Sequence, residues 1–135
     1  MTQRIKVFLD DIRDPQDCFK YMYSRIGDAI KIYNYTDWII VRNYEQFCEI
    51  VDRNLNNISH ISFDHDLSDE HYDPAMYESI EAYQKVGKTF KEKTGYECAK
   101  YMKDTYDQFR LKYPENMYVH SMNPVGTERI INLFK

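Results

Sequence analysis

The sequence predicts an α/β layer sandwich: a mostly parallel sheet of about four strands, in the order 2-1-3-4, covered by helices. Three observations carry that reading. Short apolar runs alternate along the chain with stripes of helical period. Three of the runs stop at polar, reactive side chains. Ile5-Lys6-Val7-Phe8-Leu9 ends at Asp10-Asp11, Ile61-Ser62-Phe63 at Asp64-His65-Asp66, and Met117-Tyr118-Val119 at His120-Ser121-Met122-Asn123. Buried parallel strands read this way, and ligands of open α/β sheets sit at those carboxyl ends. The order strand, loop, strand, helix, strand, helix, strand, helix then requires right-handed crossovers. With strands one and three as neighbours, Asp10-Asp11 and Asp64-His65-Asp66 share one rim.

The first strand runs from about residue 4 to Asp10-Asp11, and Pro15 after Asp14 marks a turn. Residues 16–37 are of mixed character. Cys18, Phe19, Met22 and Ile26 have helical spacing that Gly27 can stop, while residues 29–35 suit a hairpin arm or an irregular loop. Trp38-Ile39-Ile40-Val41 is the second strand, with Arg42 at its end. Asn43 caps a helix whose stripe is Tyr44, Phe47, Cys48, Val51 and Leu55, and Asn56-Asn57 end it. The third strand spans residues 58–66. Residues 68–93 are rich in acids, tyrosines and lysines. They hold a helix over about 75–90, with Met76, Ile80, Tyr83 and Val86 on one side. Directly after the acidic strand end, this stretch is placed to be a lid; a solvated surface excursion is the plainer reading. Thr94-Gly95 opens a longer helix that buries Ala99, Met102, Tyr106, Phe109 and Tyr113 and stops at Pro114. Residues 117–119 form the fourth strand. Asn123-Pro124 is an N-cap followed by proline at the first helical position, and the last helix runs to Phe134. A chain of 135 residues is one domain (1–135), here with insertions at about 16–37 and 68–93.

A net charge of −4 argues against a module built to grip double-stranded nucleic acid, whose phosphates reward a basic face. A small phosphorylated ligand stays open to it where a metal ion or local arginines offset the acids. Cys18, Cys48 and Cys98 are widely spaced with no C-x-x-C pairing, so they read as reduced core thiols. No apolar run is long enough to span a bilayer and no apolar N-terminal leader is present. No membrane partner and a cytoplasmic location are expected.

Asp10, Asp11, Asp64 and Asp66 are the candidate metal ligands. Residues two apart on a strand share a face, so Asp64 and Asp66 converge while His65 points away. Carboxylates gathered at one rim repel unless a cation joins them, and oxygen donors favour Mg²⁺ or Mn²⁺. The plainer alternative is that these acids cap turns or are solvated. His65 and His120, at neighbouring strand ends, are the candidate general acid or base. His60, His65 and His71 follow no zinc spacing. Ser121-Met122-Asn123-Pro124-Val125-Gly126 is a strand-to-helix turn whose N–H groups suit an anion. Gly126 lets a phosphate approach, and Ser121 and Asn123 add side-chain donors. Arg13 and Arg42, each just past a strand end, can clamp a phosphate as bidentate donors. For Arg42 a surface ion pair is an equal reading.

Five stretches in order carry a resemblance: Leu9-Asp10-Asp11-Ile12-Arg13-Asp14-Pro15, Trp38-Ile39-Ile40-Val41-Arg42, Ile61-Ser62-Phe63-Asp64-His65-Asp66-Leu67, Thr94-Gly95-Tyr96 and His120-Ser121-Met122-Asn123-Pro124-Val125-Gly126. Together they resemble the cyclic-phosphate processing receiver domain. The resemblance implies a flavodoxin-like, three-layer receiver fold and the processing of cyclic phosphates of nucleotides or RNA ends. It implies that Asp10-Asp11 match the metal-binding acids of ordinary receivers. Asp64 or Asp66 then falls at their phosphate-accepting aspartate and Ser121 at their strand-four hydroxyl. Ordinary receivers also need a fifth strand carrying a lysine. Here only the final helix follows Ser121, and Lys135 cannot take that role. The added His65, His120 and Asn123 point to hydrolysis instead. The expectation is a metal-assisted phosphoesterase, with a non-catalytic binding module as its rival and a phosphoaccepting receiver behind both.

Overall fold

The computed structural model describes residues 4–18, 32–35, 37–68, 71, 78–87, 93–121 and 123–135. Four strands, β1 (Ile5–Leu9), β2 (Trp38–Val41), β3 (Ile58–Phe63) and β4 (Asn116–Val119), form one sheet in the order β2-β1-β3-β4. Every pairing is parallel. The fold is the α/β receiver-like one that the sequence predicts.

Alternation along the strands gives the sheet two unlike faces. Val7, Leu9, Val41, Ile61 and Phe63 share one face and pack against three helices: α1 (Tyr44–Arg53), α3 (Gly95–Gln108) and α4 (Pro124–Leu133). Phe47 and Val51 come from α1, Cys98, Ala99, Met102 and Tyr106 from α3, and Ile130 from α4. Each fully buried large side chain there contributes about 1.5–3 kcal/mol. The opposite face carries Phe8 and Trp38 and is covered by Cys18 and Tyr33. One further helix, α2 (Ile80–Gly87), lies within the 68–93 stretch.

Each cap follows from its residue type. Asn43 Oδ1 accepts the Gln46 amide at 2.9 Å and opens α1. Thr94 and Glu97 form a reciprocal capping box at α3. Asn123 Oδ1 accepts the Gly126 amide at 2.9 Å, and Pro124 sits at the first position of α4.

Three boundaries differ most from expectation. β3 stops at Phe63, and the chain bends at His65. α1 ends at Arg53, capped by Asn54, so Leu55 packs from the following turn. α3 ends at Gln108, well before Pro114, where Arg110 takes a left-handed conformation (φ 55°). Phe109 is therefore a cap residue, 56% exposed, and not part of the buried stripe. In α2, Ile80 is exposed. The expected features at 19–31 and 72–77, Met76 among them, lie outside the described residues, as do the side chains of Tyr83 and Val86. No described helix is long and apolar enough to cross a membrane.

Candidate functional site

The strand rim is level. Parallel pairing continues one residue beyond each strand: the Asp10 amide donates to Val41 at 3.1 Å, Asp64 to Leu9 at 2.9 Å, and His120 to Phe63 at 2.9 Å. Asp10, Asp64 and His120 are even-numbered like Phe8, Ser62 and Tyr118, so alternation aims all three toward the face that carries Cys18 and Tyr33. Carboxylate oxygens of Asp10, Asp11 and Asp64 lie within 4.8 Å of one another. Asp10 and Asp64 are buried and Asp11 is half-buried.

The two buried acids have opposite environments. Asp10 Oδ1 accepts the backbone amides of Ile12 (2.9 Å) and Arg13 (2.7 Å). Its Oδ2 accepts Arg13 Nε (2.9 Å) and His120 Nε2 (3.1 Å). Burial alone would raise this carboxyl, but the hydrogen bonds from His120, Arg13 and Ile12 outweigh it and hold it at about 2. Asp64 accepts its neighbour's amide, His65 N, at 2.8 Å and reaches Arg13 Nη2 only at 3.4 Å. Burial, then the negative Asp10 beside it, push Asp64 up to about 8. Asp11 is raised as well, by burial and then by Asp10. Arg13 is the guanidinium that faces both acids, and its Nη1 carries none of these bonds.

Behind Asp10 runs a chain of buried polar groups. His120 Nδ1 is 2.7 Å from Ser62 Oγ, which is 2.8 Å from the Tyr33 hydroxyl. An ionised carboxylate only accepts, so His120 donates from Nε2 to Asp10, and its Nδ1 accepts from Ser62. Ser62 then accepts from Tyr33. Burial, opposed by the bond to Asp10, lowers the pKa of His120, which keeps the ring neutral. Phe8 stacks on that ring at 4.3 Å between centroids and 7° between planes. Burial pushes the nearby Cys18 thiol up to about 12.

His65 lies on the other side of the rim, under the start of α4. Its Nδ1 is 2.8 Å from Asp66 Oδ1 and 3.4 Å from Asn123 Nδ2. A Cβ on Gly126 would stand 2.4 Å from the His65 ring, so glycine is needed for the helix to seat on the imidazole. Gly95 has the matching role at α3: its Cβ would stand 1.7 Å from the Asp64 carbonyl, and its own amide bonds the His65 carbonyl at 2.7 Å. Two helix starts thus clamp the Asp64-His65 peptide.

This geometry is a receiver rim, with paired acids after β1, an acid after β3 and a capped turn after β4. A family model described as the cyclic-phosphate processing receiver domain matches residues 5–135. The chain belongs to that family. No curated protein and no solved structure matches it.

Within this receiver domain the candidate residues separate. Asp10, Asp11 and Asp64 come together, with Arg13 beside them. Asp66, expected among the metal ligands, is not in that group of three; once the strand ends at Phe63, alternation no longer aligns it with Asp64, and its carboxylate binds His65. Gly126 and Asn123, expected to meet a phosphate, meet His65 and each other, and the Gly126 amide is already spent on the cap. Ser121 Oγ accepts the Asn123 amide at 3.0 Å. Arg42 is a brace: it donates to the carbonyls of Asp10 (3.3 Å) and Arg13 (2.8 Å) and pairs with Asp14 at 2.7 Å. The ion-pair reading of Arg42 is the one seen. His60 bonds Ser59 and His71 accepts the Leu67 amide. Ser62 and Tyr33 are the residues that sequence reasoning missed. A polar residue inside the apolar β3 run, two before Asp64, was the available signal for Ser62. Tyr33 lay in the stretch without a clear pattern.

Proposed function

We propose that this domain is a metal-assisted phosphoesterase that opens a cyclic phosphate of a nucleotide or an RNA end. The observation that supports it most is the cluster of Asp10, Asp11 and Asp64, in which a buried carboxyl is pushed up to about 8 beside another acid. Three carboxylates outnumber the one guanidinium of Arg13, and their all-oxygen donors suit Mg²⁺ or Mn²⁺. When bound, the ion polarises a phosphoryl oxygen and lowers the pKa of a water.

The chain's own residues divide the remaining work. Asp10, Asp11 and Asp64 hold the ion. Arg13, anchored through Nε to Asp10, keeps Nη1 for a phosphoryl oxygen and stabilises charge that builds there. His120 locks the Asp10 carboxylate through Nε2–H, with Ser62 and Tyr33 fixing its tautomer. His65 holds the β3 exit against α4. Both histidines act in this reading as positioning residues, in place of the acid–base role expected of one of them.

A second reading, a non-catalytic binding module, draws on one observation. Asp10 already accepts four hydrogen bonds, and Arg13 already stands between the acids as a counter-charge. Turnover of 2′,3′-cyclic nucleotides, 3′,5′-cyclic nucleotides and cyclic dinucleotides, with Mn²⁺ or Mg²⁺ and with chelator as control, separates the two. The phosphoesterase opens at least one linkage, and chelator stops it. Binding of a panel member with no turnover under any metal overturns that reading in favour of the binding module.

A further inference from the structure

A second set of metal-ligating groups overlaps the oxygen cluster at Asp10. Cys18 Sγ, a ring nitrogen of His120 and a carboxylate oxygen of Asp10 all lie within 4.8 Å of one another. All three residues are buried, at 0%, 1% and 1% exposure. They come from separate parts of the chain: the helical turn at residues 15–18, the exit of β4 and the exit of β1. We propose that Cys18, His120 and Asp10 form a second divalent-cation site, of zinc type, which shares the Asp10 carboxylate with the oxygen cluster.

Three features of the structure argue for it. The first is the donor set. One thiolate, one imidazole and one carboxylate suit borderline-soft Zn²⁺ and disfavour Mg²⁺, whereas Asp10, Asp11 and Asp64 are all hard oxygen donors. Three protein ligands also leave a fourth position open, as in catalytic zinc sites. The second is distance. Tetrahedral zinc holds its ligand atoms about 3.5 Å apart, and His120 Nε2 is already 3.1 Å from Asp10 Oδ2.

The third is the support behind the histidine. A metal-bound imidazole presents its other ring nitrogen to a fixed partner, which sets the tautomer. Ser62 is that partner at 2.7 Å, and its hydroxyl both donates and accepts. With an ion on Nε2, the His120 proton resides on Nδ1 and is donated to Ser62, whose own hydrogen turns to Tyr33. The ring stays neutral, and binding releases one proton, that of the Cys18 thiol. Stacking on Phe8 holds the ring plane throughout. Arg13 stands beside this triad, on the same Asp10 carboxylate. A carboxylate shared between two ions is the arrangement of two-metal phosphoryl-transfer centres, whose ions stand about 3.5–4 Å apart.

The inference does not depend on the phosphoesterase reading, because metal spectroscopy tests it without substrate. Co²⁺ is titrated into the full chain and the near-ultraviolet sulfur-to-cobalt charge-transfer band is followed, with Zn²⁺ as competitor. One equivalent of Co²⁺ should give the band and Zn²⁺ should remove it. Cys18→Ser should cut the band at least tenfold, and Cys48→Ser should leave it intact. Absence of the band in the unaltered chain, or an undiminished band in Cys18→Ser, overturns the site. Should Cys18→Ser fail to fold, zinc-edge X-ray absorption on the unaltered chain decides. One sulfur at about 2.3 Å with nitrogen or oxygen at about 2.0 Å supports the site, and a shell of nitrogen and oxygen alone rejects it. A band that persists in a chain without turnover counts against the phosphoesterase alone.

Discussion

Two polar regions sit side by side on the strand rim, and both are buried. In the cradle around His65, each of the groups that meet there has a neutral or complementary partner: the imidazole has Asp66 and Asn123, and Asn123 in turn has the Gly126 amide. In the cluster around Asp10, three carboxylates face one guanidinium. Burial penalises ions in both places, and in the cluster burial, then the negative Asp10, push Asp64 up to about 8. On the proposed reading the cradle is scaffold and the cluster is the site. A satisfied polar network fixes a shape; an unbalanced one is where the proposed cation would bind.

That distinction can be broken by substitution. The largest effect is expected from Asp11→Asn, which removes a cluster ligand from a half-buried position. Metal-dependent turnover should fall more than about 100-fold, with thermal stability little changed. The converse belongs to the cradle. Gly126→Ala drives a methyl group into the His65 ring and should cost about 1–3 kcal/mol in denaturant unfolding, while Mn²⁺ affinity stays within about threefold. A variant of the cradle that lost metal affinity as strongly as stability would merge the two regions into one.

The pH dependence of stability sharpens the same point. Asp64 sits far above its ordinary 3.8, so the folded metal-free chain binds more protons than the unfolded one between about pH 4 and 8. Its contribution to stability therefore falls as pH rises through that window and is flat beyond. Asp10, held at about 2, has the opposite sign: its contribution is present above its ordinary 3.8 and is lost as pH falls toward 2. Asp64→Asn should consequently stabilise the metal-free chain at pH 8, by about 1–3 kcal/mol, since one pKa unit corresponds to about 1.4 kcal/mol. Equal slopes for both chains in urea unfolding between pH 5 and 8 would show that the charge is balanced by some other group.

Much of the architecture was legible in the sequence, because it rests on periodicity. Apolar runs gave the strands, and Asn43, Thr94 and Asn123 announced the helix starts by side-chain chemistry alone. The expected strand order 2-1-3-4, which brings the acidic ends to one rim, is the order seen. The limits were equally physical. Alternation holds only while the strand pairing lasts, so it brings Asp64 to the cluster but does not govern Asp66, which lies three residues past the end of β3 and meets His65. A glycine near a helix start signals close approach, but not what approaches: at Gly126 it is the His65 ring rather than a phosphate. Helical spacing carried the α3 stripe on through Phe109, though the helix had stopped at Gln108. Tyr33 and Ser62 are 29 residues apart in the chain and meet across the sheet, a pairing that no local pattern encodes.

The most direct measurement is a Mn²⁺ titration by electron paramagnetic resonance on the unaltered chain, Asp64→Asn and Asp66→Asn. The cluster predicts saturable binding of one Mn²⁺ to the unaltered chain, weakened at least tenfold in Asp64→Asn and retained in Asp66→Asn. Equal affinity in all three chains, or equal loss in both variants, would contradict a metal centre built on Asp10, Asp11 and Asp64.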